Sequence, residues 1–207
     1  MDTRGFLDRL LGEGKSLLGQ TGLTNPEGKI SDYGKGALSG GALGILLGSK
    51  GGRKLATYGG LAALGMVAWR AYNQGCAGQQ EGAPPPSFDH SRAADRVVLR
   101  AMLTAARVDG HIDDGERVRI DREIERLGGE ADLRAWVEAE LQSALDPQGI
   151  ADEVAGDALL ASEVYLASVL MMGDANFLER AYLDRLADCL GLDPDLKQRL
   201  EQQAQSA

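Results

Sequence analysis

The chain has 207 residues, with 22 Lys/Arg against 31 Asp/Glu, a net charge of −9, 28 glycines and two cysteines. That length holds one or two domains, the acidic balance disfavours nucleic acid as a partner, and Cys76 and Cys189 fit no zinc or redox spacing. The halves differ: residues 89–207 carry 13 of the Lys/Arg and 25 of the Asp/Glu, while residues 1–88 carry 20 of the glycines and a slight basic excess.

Residues 5–18 place Phe6, Leu7, Leu10, Leu11, Leu17 and Leu18 at helical spacing, weakened by Gly12 and Gly14. Within an amphipathic and polar arm over 1–35, this stretch fits a helix lying on a membrane, a partner-docking helix and a partly disordered segment equally well. It lacks the apolar core of a signal peptide, so membrane insertion is expected to be internal.

Residues 36–72 form a glycine-rich apolar segment. Gly36, Gly40, Gly44, Gly48, Gly52, Ala56 and Gly60 repeat every four residues, with Leu38, Leu43, Ile45, Leu46 and Leu47 between them. Glycine costs about 1 kcal/mol in an exposed helix interior, whereas in a bilayer small residues let helices approach closely. The column therefore reads as a helix-contact face of a membrane segment. Two apolar runs, 36–48 and 55–72, flank Lys50, Arg53 and Lys54. Tyr33, Trp69, Arg70 and Tyr72 are residue types of the membrane interface. A single span over 55–72, a full hairpin and a re-entrant hairpin all remain open. Residues 73–91 read as a linker, with Pro84, Pro85 and Pro86 favouring an extended spacer.

From residue 92 the apolar spacing is helical throughout, which predicts an all-α bundle over 92–207 with a core of its own. The run Leu159 to Met172 is apolar enough to be its central helix, and the next helix closes at Gly191 and Asp193-Pro194. Asp109, Asp113 and Glu116 lie in the first loop and could converge on a hard cation such as Ca²⁺ or Mg²⁺. Helix capping explains Asp113 and Glu116 without a ligand. The segment recurs at an offset of 63, pairing Glu116-Arg117 with Glu179-Arg180, Ile120 with Leu183, Leu127 with Leu190 and Gly128 with Gly191. Asp174 precedes Glu179 as Asp109 and Asp113 precede Glu116, so a second acidic loop is expected, again with capping as the competing reading.

The stretch Ala106 to Arg117, together with Tyr165 to Leu170 and Glu179 to Ala187, resembles the TerB-like domain of tellurite-resistance proteins. The glycine-rich stretch from Lys35 to Tyr72 is similar to the YebE family of inner-membrane proteins. The resemblance implies an all-helical TerB-like fold, an anchor in a bacterial inner membrane and metal-ion sensing at Asp109, Asp113 and Glu116, extended to Asp174 and Glu179. The loop Met171-Met-Gly-Asp-Ala-Asn176 departs from the commoner Asp-rich form.

No nucleophile has a plausible base, and the glycines lack the Lys-Ser/Thr of a phosphate-binding loop. A non-enzymatic module is expected. One reading is a membrane-anchored interaction or sensing module, cation-responsive, acting in envelope or metal stress. The other is a membrane scaffold that self-associates, or binds another membrane protein, through the glycine column and has no ligand.

Overall fold

The computed structural model describes residues 5, 61–75, 92–108, 124–125, 131–173 and 175–205. Among these residues the chain is all-α, as the periodicity predicts. Seven helices follow in order: α1 (Leu61–Gly75), α2 (Arg92–Ala105), α3 (Ala131–Gln142), α4 (Pro147–Val154), α5 (Ala158–Met172), α6 (Phe177–Leu190) and α7 (Pro194–Gln205). The arm over 1–35, the column from Gly36 to Gly60, residues 76–91 of the linker, and Asp109, Asp113, Glu116 and Asp174 lie outside the described residues, Gly5 in the arm excepted; the first three residues of the expected 73–91 linker belong instead to α1.

Helix α5 is the axis of the bundle. Every residue from Ala161 to Met172 is buried, because α1, α2, α4, α6 and α7 all pack against it. A helix that is apolar all round belongs in a core, and each fully buried Leu, such as Leu166 or Leu170, contributes about 1.5–3 kcal/mol. The two serines of α5 meet their hydrogen-bonding needs within the helix. Ser162 donates to the Ala158 carbonyl at 2.7 Å and Ser168 to that of Val164 at 2.9 Å. Glu163 of α5 and Asp95 of α2 also bury their carboxylates.

The surrounding helices are two-faced. α2 buries Val97, Val98, Ala101, Met102 and Ala105, α3 buries Leu133, Val137 and Leu141, and α7 buries Leu196, Leu200 and Ala204. Ile124 joins the same core.

Short side-chain caps set the helix ends. Asp146 accepts from the Gly149 N–H at 2.9 Å to open α4, and a Cβ at Gly149 would run into that carboxylate. Asp157 opens α5 by accepting from the N–H groups of Leu159 and Leu160, both at 3.0 Å. Gly191 ends α6 in the left-handed region, at φ 65°, and the Leu192 N–H then reaches back to the Ala187 carbonyl at 3.0 Å.

Helix α1 lies in the segment that the sequence assigns to the membrane, yet it docks on α5 and α7. Leu64, Ala68 and Ala71 are buried, and Arg199 of α7 donates through Nε to the Ala71 carbonyl at 2.9 Å. At 15 residues α1 is about 22 Å long, short of a hydrocarbon core of about 30 Å. Among the described residues no helix is long and apolar enough to cross a membrane.

Candidate functional site

Two polar centres interrupt the apolar packing. The first surrounds Arg100 of α2. Its guanidinium pairs with Glu153 at 2.6 Å, Glu140 at 3.2 Å and Asp146 at 3.8 Å. Arg107, one turn beyond α2, donates to the backbone carbonyls of Glu140 and Ser143. Burial lowers the Arg107 pKa, opposed by Glu140. The Tyr182 hydroxyl is buried nearby with no hydrogen bond among the described residues, and burial pushes its pKa upward. These contacts fasten α2 to the α3–α4 junction, so the centre reads as structural.

The second centre is a cleft of about 460 Å³ at the C-terminal end of α5, between α6 and α7. That volume lies within the range of ligand pockets. Val169, Ala175, Leu183 and Ala204 supply its apolar lining, and Arg180, Asp184, Lys197 and Glu201 its charges. Three of these four charges are tied together. The Lys197 ammonium donates to Asp184 and lies 3.9 Å from Glu201, which also accepts from the Tyr165 hydroxyl at 2.7 Å. The Asp184 hydrogen bond raises the Lys197 pKa, and burial followed by Glu201 raises that of Tyr165. Arg180 makes no side-chain ion pair among the described residues.

The loop Gly173–Asn176 borders this cleft through Gly173 and Ala175. Here Glu179, a candidate cation ligand, is a cap. Its Oε2 accepts from the Asn176 N–H at 2.6 Å, while the Asn176 side chain accepts from the N–H groups of Leu178 and Glu179 at 2.8 and 3.1 Å. Asn176 stands at the offset of 63 from Asp113, so the repeat is expressed here as a capping box. Among the described residues no group of three or more His, Cys, Asp or Glu side chains could hold a metal ion.

Sequence reading did not single out Asn176, Asp184, Lys197 or Glu201. The spacing Asn176-x-x-Glu179 does carry a capping signal. The cleft itself joins α6 to α7 and leaves no local pattern.

A family described as "Protein of unknown function (DUF533)" matches residues 32–204, spanning the glycine-rich segment and the bundle together. The "Uncharacterized protein in ampR 5'region" of Yersinia enterocolitica is 30% identical over 107 residues, which is 52% of this chain and 76% of that protein. No solved structure matches. On the extent of the family match, the chain belongs to the DUF533 family, whose function is unknown.

Proposed function

We propose that the chain is a non-catalytic, TerB-like and YebE-like interaction module held at a bacterial inner membrane. The bundle presents the α6–α7 cleft to a partner, and residues 36–60 make the lipid contact. The observation that carries the binding role is the cleft: a cavity of about 460 Å³ lined by apolar and charged side chains together, among them Arg180, which makes no side-chain ion pair among the described residues. The anchor rests on the column from Gly36 to Gly60 and on Lys50, Arg53 and Lys54. The docking of Leu64, Ala68 and Ala71 limits the lipid-facing share to residues before α1, since one helix face cannot bury itself in a protein core and in lipid at once.

Membrane fractionation of the full chain and of a variant lacking 36–60 tests the anchor. The full chain should pellet with membranes through a high-salt wash, and the deletion variant should stay in the supernatant with its helical signal intact. A full chain that is monodisperse without detergent overturns the anchor. Cation response is a separate part of the proposal, carried by Asp109, Asp113 and Glu116. Millimolar Ca²⁺ or Mg²⁺ should raise the Tm of the wild type and not that of Asp109→Asn. An unmoved wild-type Tm removes the sensing role.

A further inference from the structure

Helix α1 has two faces of different character. The inner face buries Leu64, Ala68 and Ala71 against α5 and α7. Opposite it, Met66, Trp69, Arg70 and Asn73 stand at i, i+3, i+4 and i+7 and share one side of the helix. Arg70 is exposed, and Met66, Trp69 and Asn73 are half-buried. Arg199 of α7, bound through Nε to the Ala71 carbonyl, brings a second guanidinium to the same end of α1. The helix itself has no acidic residue. Of the α7 carboxylates, Glu201 faces the cleft, where Tyr165 and Lys197 hold it. Asp195 makes no ion pair with Arg70 or Arg199 among the described residues.

We propose that the outer side of α1 is the surface on which the bundle rests against an anionic membrane, at headgroup depth, with Trp69 at the interface and Arg70 on lipid phosphate. This rests on the reading of residues 36–60 as the anchor. Chain continuity selects the occupant. Leu61, the first residue of α1, follows directly on Gly60, the last residue of the glycine column. The rise from Gly60 to Trp69 is about 14 Å even for an upright helix, so an anchored column holds this side of α1 at the bilayer surface. Residue type agrees. Tryptophan, with an apolar ring and one N–H, is favoured at the interface, and a guanidinium pairs with phosphate oxygens in two parallel hydrogen bonds. Charge agrees as well. Residues 89–207 carry 13 Lys/Arg against 25 Asp/Glu, so anionic headgroups repel the bundle unless it approaches by a side that bears positive charge. Docking of the inner face keeps α1 out of the hydrocarbon, which leaves its outer side for headgroups.

The two tryptophans of the chain, Trp69 and Trp136, make the test internal. Trp136 lies on α3 under Arg96, with its helix packed on α2. Trp136→Phe leaves Trp69 as the only reporter, and Trp69→Phe leaves Trp136. Each full-length variant is reconstituted in phosphatidylglycerol vesicles that carry a nitroxide either near the headgroup or near the bilayer centre. Co-flotation is scored first: a chain that does not float removes the anchor, and this proposal with it. In floated protein the shallow nitroxide should dim Trp69 about twofold or more, beyond the deep one, and leave Trp136 within about a tenth of its unquenched intensity. Arg70→Glu should restore about half or more of the lost emission while flotation persists. Arg70 is exposed, so circular dichroism should show that variant folded. Floated protein whose Trp69 is untouched by either nitroxide overturns the proposal and leaves the anchor standing; if aqueous iodide fails to reach Trp69 as well, protein covers this side of α1. Stronger quenching by the deep nitroxide puts α1 in hydrocarbon, and equal quenching of both tryptophans shows no preferred face; either result overturns the proposal. Quenching unchanged in Arg70→Glu overturns the phosphate contact.

Discussion

Helices α1 and α2 both pack on α5, but they reach it with different chemistry. α2 is strongly two-faced, with Arg96 and Arg100 set against buried Val97, Val98 and Met102. α1 has one charged residue, Arg70, and buries mostly small side chains at Ala68 and Ala71 around Leu64. Small residues on a nearly uncharged helix are what close helix contact requires, whether the neighbour is a lipid-embedded helix or a protein core. Composition therefore marks α1 as a contact helix and does not say what it contacts.

The sharpest way to break this comparison is to truncate one buried side chain in each helix. Leu64→Ala and Met102→Ala should each cost about 2–5 kcal/mol, as large-to-small core changes do. Urea titration of the full chain reads both. A Leu64→Ala variant within about 0.5 kcal/mol of wild type, the range of surface changes, would separate α1 from the core.

Among the described residues, the polar fastening of α2 has no counterpart in α1 beyond the Arg199 hydrogen bond. Arg100→Met leaves Glu140, Asp146 and Glu153 facing one another and should cost about 1–3 kcal/mol, between the exposed and buried limits for ion pairs. Arg199→Met should cost less than half as much. Equal losses in urea midpoint would show that α1 depends on its polar contact as much as α2 does.

A smaller effect belongs to the cap at the cleft. Asn176→Ala removes one half of the capping box and should cost about 1 kcal/mol. Adding millimolar Ca²⁺ or Mg²⁺ should leave that difference unchanged; an ion-dependent difference would make the loop a cation site.

The most gradual effect is alkaline. Tyr165, Tyr182 and Lys197 all hold their protons more tightly in the fold. Unfolded tyrosine and lysine titrate near about pH 10. Above that the native state binds more protons than the unfolded state, so stability falls as pH rises. The urea midpoint should be level from pH 7 to 9 and decline beyond about pH 10. Tyr182→Phe should flatten part of the decline without loss at neutral pH, because its hydroxyl has no hydrogen bond among the described residues.

Much of the bundle is legible in the sequence. The unbroken apolar run to Met172 marks α5 as central, and Gly191 with Asp193-Pro194 marks the α6–α7 turn, where Asp193 accepts from the Asp195 N–H at 2.9 Å. The candidate site was less legible. Glu179 is acidic, and its spacing from Asn176 suits a cap as well as a ligand, so only the three-residue geometry decides. Lys197 and Asp184 meet from different helices, and periodicity within one helix carries no trace of that meeting. The place of α1 was hidden for the same reason: its partner, α7, lies more than a hundred residues away in sequence, as the bond from Arg199 to Ala71 shows.

Thermal unfolding of fragments 61–207 and 92–207, side by side, tests most directly whether α1 is part of the bundle. If it is, 61–207 unfolds in one cooperative transition, while 92–207 melts at least about 10 °C lower or without cooperativity, as loss of several kcal/mol of packing implies. Equal melting temperatures for the two fragments would contradict the docking of α1 and return residues 61–72 to the glycine-rich segment.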